Sequence, residues 1–323
     1  SYLYRKHPDW ILQTPGRRVS HGRYQYVLDF SRKEIVDYIY GMIAKLLSES
    51  NISYIKWDMN RSITECYSIA YPADQQGEIF HRYILGVYDL YERLTSAFPE
   101  VLFESCASGG GRFDPGMLYY APQGWVSDDS DAVERLKIQY GTSMCYPLSS
   151  MGSHVSVIPN HQVFRNTPLH TRANVAYFGT FGYELDLNKL SDAEIEEVKA
   201  QIRFMKEYRE LLQFGTFYRL ESPFNGNETV WMVVSEDKSK ALVGYYRVLN
   251  GVNLPYSCVK LQGLDPDKLY ENELANTEHY GDELMNLGLI TTDVSAGEVP
   301  QGAEPCTDFE SRIYLLKEKQ STN

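Results

Sequence analysis

The stretch YIKWDMNR, residues 54–61, decides how this chain is read. Lys56, Asp58 and Asn60 occupy every second position, with Ile55, Trp57 and Met59 between them. In a strand, residues i, i+2 and i+4 share a face. The spacing therefore predicts a polar row on one face and apolar side chains packed on the other. One reading of the row is an ion pair that merely fixes the strand. Buried ion pairs add little net stability, which favours a functional reading instead. A lysine two residues from an aspartate favours the ionised carboxylate. An ionised, positioned carboxylate serves as a nucleophile or an electrostatic stabiliser.

Working outward, short apolar strands alternate with helical patterns up to about residue 215. YVLDF (26–30) predicts a strand, and Ser31 with Glu34 predicts a capping box opening a helix through Ile35, Ile39, Met42 and Leu46. After YIKWDMN, a helix from about Glu78 carries Tyr83, Val87, Leu90 and Leu94 on one face, with Pro99 just past its end. VLFESCA (101–107) and GWVSDDS (124–130) predict further strands, and MCYPLSSMGSHVS (144–156) and NVAYFGTFGYEL (174–185) two more strand-and-loop units. Ser191 and Glu194 open a long helix reaching about Phe214. Alternation with short connections implies an α/β fold of parallel strands and right-handed crossovers. The polar residues cluster at the C-terminal ends of the strands. A (β/α)8 barrel keeps its site there, and an open α/β sheet its crevice. Neither GxGxxG nor GxxxxGK[ST] occurs.

Past residue 215, TVWMVVSED, KALVGYYRV and SRIYLLKEK run at strand length between Asn, Gly, Asp and Pro turns. These predict a small antiparallel β domain. The expected division is 1–215 and 216–323. The first part shows five or six strands, not eight. Its sheet is either open and doubly wound or part of a barrel whose first strands lie upstream.

The 323 residues suffice for one large domain or a large and a small one. A net charge of −12 disfavours nucleic-acid and anionic-membrane partners. No run approaches ~18 apolar residues, so no membrane span is expected. The 26 tyrosines suit wet, partly apolar clefts, including sugar sites, and also simply build cores. Cys66, Cys106, Cys145, Cys258 and Cys306 are scattered and form no CxxC. That fits a reducing compartment, hence the cytoplasm. The first ten residues lack the apolar core of a signal peptide.

Two further motifs carry chemistry. SDDSD holds Asp128, Asp129 and Asp131; two of these have an easy task as helix caps. Asp128, nearest the strand end, is least needed for that. Two carboxylates in different settings, one ionised beside Lys56 and one able to hold a proton, match a glycosidase pair. ESCASGGGRFDPG (104–116) holds glycines that let backbone approach a ligand. Cys106 reads as a small lining residue in preference to a nucleophile. Glu104 reads as a third acid or as a salt-bridge partner below the site. His154, His161 and His170 match no metal signature. A metal at Asp58, Asp128 and Glu104 would compete with Lys56, so neither metal nor cofactor is expected.

KWDMNR (56–61), ESCASGGGRFDPGML (104–118), WVSDDSDAVERLKIQYG (125–141) and YFGTFGYELDL (177–187) together resemble the bacterial family-36 α-galactosidases. HPDW and GRRVSHGRYQYVLDF fit as well, and the likeness covers essentially the whole chain. The resemblance implies a (β/α)8 TIM barrel followed by a small antiparallel β-sandwich domain. It places Asp58 at the end of the fourth barrel strand and Asp128 at the end of the sixth, with the chain entering near the third. It also implies retaining hydrolysis of α-galactoside oligosaccharides, with Asp58 as nucleophile and Asp128 as general acid/base. Arg23, Lys56, Asn60, Cys106 and Gly109 would bind the sugar, Cys106 and Gly109 beside its 2-hydroxyl, and Trp125 would help wall the pocket. Family members are longer and often form homotetramers. The expectation is thus a C-terminal portion of a longer polypeptide, whose upstream part supplies an adjacent acidic pair for the 4- and 6-hydroxyls. The same carboxylates would serve a raffinose-synthase-like transferase, and a non-catalytic sugar-binding protein is the rival from another class.

Overall fold

The structure, a computed structural model, describes residues 1–252, 257–291 and 307–319. Cys306 lies outside the described residues. The chain forms two compact units, Ser1–Asp128 and Asp129–Asn323.

In the first unit, helix α1 (Lys33–Glu49) leads into strand β1 (Tyr54–Asp58). Helix α2 (Ile79–Ala97), strand β2 (Leu102–Cys106) and the two-residue strand β3 (Gln123–Gly124) follow. The three strands form a parallel sheet in the order β1-β2-β3. Register sets Asp58 opposite Cys106, Lys56 opposite Glu104, and Glu104 opposite Gln123. The alternation of YIKWDMNR holds. Ile55, Trp57 and Met59 pack against a core that includes Val36, Leu47, Tyr83, Val87, Leu90 and Leu94. Burying each such side chain is worth about 1.5–3 kcal/mol. Gly86 sits inside α2, and a Cβ there would lie 1.8 Å from the Phe30 carbonyl oxygen. Glycine is what lets that helix meet the preceding segment backbone to backbone.

Three local expectations fail in this unit, the first being the strand expected over GWVSDDS (124–130), which is only Gln123–Gly124. YVLDF makes only an isolated bridge, Leu28 to Ile11. Its backbone is taken by residues 10–12: Leu12 N donates to Val27 O at 2.9 Å and Asp29 N to Trp10 O at 2.8 Å. Ser31 does not cap α1, because its hydroxyl donates to the carboxylate of Asp29. The helix starts two residues later with Arg32 at the N-cap position and no side-chain cap. Asp29 is fully buried and also takes the Ser68 hydroxyl. A local side-chain bond has outcompeted the cap.

In the second unit, α3 (Ala132–Thr142), β4 (Gly152–Ser156), α4 (Leu169–Ala176), β5 (Thr180–Glu184) and α5 (Asp192–Phe214) continue the alternation. β4 and β5 pair in parallel. Asp131 caps α3 by accepting from the Val133 and Glu134 amides. The Ser191–Glu194 capping box opens α5 as expected. Immediately after α5 the strands β6 (Thr216–Glu221), β7 (Glu228–Val234), β8 (Lys240–Arg247), β9 (Leu269–Asn272), β10 (Thr277–Tyr280) and β11 (Glu310–Glu318) form one antiparallel sheet, in the order β10-β9-β11-β8-β7-β6. One face covers a core of Val230, Met232, Val243, Tyr245 and Leu316, joined by Val259 and Leu289 of a two-stranded ladder. The other face meets α4 through Tyr246, whose hydroxyl donates to Asn174 O at 2.7 Å. Burial on both faces explains why β7 reads as an unbroken apolar run. Among the described residues, no helix is long and apolar enough to cross a membrane.

Candidate active site

The C-terminal end of β1 brings Asp58 into a shell of donors. The Cys106 thiol, directly across the ladder, hydrogen-bonds to its carboxylate. The Asn60 amide donates to Oδ2, and the Ser108 backbone amide donates as well. Ser108 Oγ in turn donates to Asn60 Oδ1 at 3.0 Å, which fixes the way that amide faces. Burial alone would raise the Asp58 pKa. The donors from Cys106, Asn60 and Ser108, with the charge of Lys56, outweigh it and hold the carboxyl below its usual range. Asp58 is thus an ionised carboxylate, and its own side is exposed. Cys106 shows the reciprocal effect. Burial first, then the neighbouring Asp58 charge, pushes its thiol up to about 11. A thiol held protonated donates; it does not attack.

Asp128 follows β3, also exposed. Its Oδ1 accepts the indole N–H of buried Trp125 at 3.1 Å. The glycine cluster after β2 lies against this segment. Gly109 has φ +80°, and a Cβ on it would stand 2.9 Å from both Asp128 N and Ser127 Cα. A side chain is therefore excluded twice, by backbone conformation and by space. One turn of chain consequently serves both carboxylates: Ser108 donates to Asp58 while Gly109 lies against the backbone of Asp128.

A second link runs one layer deeper. Glu104 is 2 % exposed, with Oε1 3.5 Å from Lys56 Nζ. Its Oε2 accepts from the Tyr54 hydroxyl, and from Gln123 Nε2 at 3.2 Å. Burial pushes Glu104 up to about 7, against the hydrogen bond from Gln123. Lys56 Nζ stands 4.4 Å from the centroid of the Trp125 ring, a cation–π distance. Glu104, Lys56, Trp125 and Asp128 thus form a continuous chain of contacts. Among the described residues, no group of three or more His, Cys, Asp and Glu side chains is placed to hold a metal.

Six of the seven candidate residues are brought together: Lys56, Asp58, Asn60, Cys106, Gly109 and Asp128. Arg23 stands apart on an exposed two-residue turn between Gly22 and Gln25, where Arg23 (φ 51°) and Tyr24 (φ 59°) are both left-handed. Positive φ at both central positions belongs to tight hairpin turns that favour Asn-Gly. Arg61 secures this turn: Nε donates to Gln25 O at 3.2 Å and Nη2 to Ser20 O at 3.1 Å. Arg61 thereby ties the Arg23 turn to the residue next to Asn60. Arg112 binds the carbonyls of Trp57 (3.3 Å) and Cys106 (2.7 Å), latching the ends of β1 and β2. Neither arginine, nor Ser108, is singled out by sequence spacing. Their partners lie 36 to 55 residues away for most of these bonds, and the only cue is their place inside the two motifs.

A model of the Melibiase family matches residues 1–215, and a model of the glycosyl hydrolase family 36 C-terminal domain matches residues 228–316. The α-galactosidase AgaA of Geobacillus stearothermophilus is 56% identical over 320 residues, covering 99% of this chain and 42% of the relative. The α-galactosidase Mel36A of Lactobacillus acidophilus is 51% identical, covering 98% of this chain and 42% of that protein. The crystal structure of the Geobacillus stearothermophilus AgaA superposes with a TM-score of 0.93 at 53% identity, over 99% of this chain and 43% of that one. Variants of the same enzyme have been crystallised with raffinose and with stachyose. The chain spans about two fifths of the length of these relatives. Its alternating region is the corresponding part of a (β/α)8 barrel, and its antiparallel sheet the domain that follows. This chain belongs to the Melibiase family, and ends in the glycosyl hydrolase family 36 C-terminal domain.

Proposed function

We propose that the polypeptide carrying this chain is a retaining α-galactosidase acting on raffinose- and melibiose-type oligosaccharides. What carries the reading is the shared turn after Cys106, which bonds to the ionised Asp58 and lies against the backbone of Asp128. Two carboxylates placed at one site in unlike surroundings are what glycosidic bond cleavage uses, and the family resemblance makes the reaction a double displacement.

In the first step an oxygen of Asp58 attacks the anomeric carbon and forms a glycosyl ester. The bond to the leaving oxygen breaks, and Asp128 gives that oxygen its proton. In the second step Asp128 takes a proton from water, the water oxygen attacks the same carbon, and the ester bond breaks to release galactose and restore Asp58. Lys56, Asn60, Cys106 and Gly109 bind the sugar around this centre. Arg23, on the turn that Arg61 holds, is a further sugar ligand by family resemblance. Residues 1–215 act as the catalytic barrel region and 216–323 as the C-terminal β domain. The four described cysteines are free thiols, in keeping with work in the cytoplasm, and the enzyme acts as a homo-oligomer, a tetramer by family resemblance.

The test uses the whole polypeptide and an aryl α-galactoside. Asp58→Gly abolishes turnover and added azide restores it, because azide replaces the missing nucleophile. Asp128→Ala slows methyl α-galactoside far more than 4-nitrophenyl α-galactoside, whose leaving group needs no proton. Equal losses on the two substrates would remove Asp128 from the acid/base role.

A further inference from the structure

The geometry points to Trp125 as a positioning residue that orients the carboxyl of Asp128 for proton transfer. This deepens the galactosidase reading and rests on it. The indole nitrogen is a donor only, and its N–H meets Asp128 Oδ1 at 3.1 Å. That bond ties one oxygen of the carboxyl to a fixed donor and so sets the rotation of the carboxyl about its Cβ–Cγ bond. The direction along which Asp128 gives its proton to the leaving oxygen, and later takes one from water, is set by that rotation.

Three features hold the indole to this task. Trp125 is 3% exposed, so its ring has no room to turn away. Its backbone amide donates to Ser105 O at 2.9 Å, extending the β2–β3 ladder past Gly124. Lys56 sits at the ring face, 4.4 Å from the centroid, and is itself placed by buried Glu104 at 3.5 Å. A cation on the face draws density from the ring and strengthens the N–H as a donor. Lys56 thereby acts on both carboxylates, on Asp58 by its charge and on Asp128 through the indole.

The test compares wild type with Trp125→Phe, and with benzothienylalanine at position 125, where sulfur replaces N–H in a ring of nearly the same shape. The readout is the ratio of kcat/KM for 4-nitrophenyl α-galactoside to that for methyl α-galactoside, taken with melting curves. This ratio does not depend on the fraction of protein folded. A hydrogen bond to a charged group is commonly worth enough to move a rate about tenfold or more. Both variants are expected to raise the ratio by about tenfold, the benzothienyl variant with an unchanged melting temperature. An unchanged ratio, or an equal loss on both substrates, overturns the assignment while leaving the galactosidase reading intact. A wild type inactive on both substrates overturns that reading, and this assignment with it.

Discussion

β1 and β7 are both strands with bulky apolar residues, yet they spend their two faces differently. In β7, Val230, Met232 and Val234 fill one core while Trp231 and Val233 fill the other side, and none is more than 2% exposed. In β1, Ile55 and Trp57 are committed to packing, but Lys56 and Asp58 remain exposed on the other face. A strand with both faces committed can only contribute stability. A strand with one face committed holds its polar row rigidly while leaving that row open to chemistry. The two should fail in different ways.

The sharpest break is at β1. Asp58→Asn is expected to lower hydrolysis on the order of 10⁴-fold, yet to cost no more than about 1–2 kcal/mol of stability, the loss of a charged acceptor for its donors. Activity assays beside urea titrations read both numbers. A large loss of stability would place Asp58 in the structural class with β7. The converse holds for Trp231→Ala, which empties a fully buried site and removes the N–H that the Tyr246 hydroxyl accepts at 3.0 Å. The expected cost is about 3–5 kcal/mol, with KM unchanged in whatever protein remains folded.

Gly86→Ala probes the packed face of β1 from behind. A methyl group 1.8 Å from Phe30 O forces α2 and its neighbour apart, costing about 1–3 kcal/mol. A neutral result would mean that α2 can slide without disturbing Trp57. The effect spread over the widest range of conditions concerns Glu104, which lies between the two behaviours, being polar but buried. Its folded-state value of about 7 exceeds its ordinary 4.5. The folded protein therefore binds the proton more tightly than the unfolded chain. Stability is full below about pH 4.5 and falls as pH rises toward 7, by at most about 1.4 kcal/mol per pH unit. Glu104→Gln should flatten that slope relative to wild type. A slope that persists unchanged in the variant would assign it to other groups.

The same contrast explains what could be read in the sequence. A period of two is a local property, so the row of Lys56, Asp58 and Asn60 was legible, as was the helical face of Tyr83, Val87, Leu90 and Leu94. The Ser191 capping box was legible for the same reason. An identical pattern at Ser31 misled, because Asp29 two residues earlier holds the hydroxyl. YVLDF misled because its backbone partners, residues 10–12, carry no strand pattern of their own. At the site, the residue types gave two carboxylates but not what joins them. The contact of Gly109 with Asp128 and the latch of Arg112 on β1 and β2 link segments far apart in the chain. Period and propensity do not encode such meetings.

The turn through Ser108 and Gly109 has one more consequence. It addresses both carboxylate-bearing segments with main chain: an amide on one side, a bare α-carbon on the other. Main-chain atoms have no rotamers to change and cannot be swapped by point mutation. Engineering of this pocket can therefore vary side chains that touch neither acid, provided Gly109 is kept, since the two acids are gauged against each other by a piece of backbone that a side chain at that one position would displace.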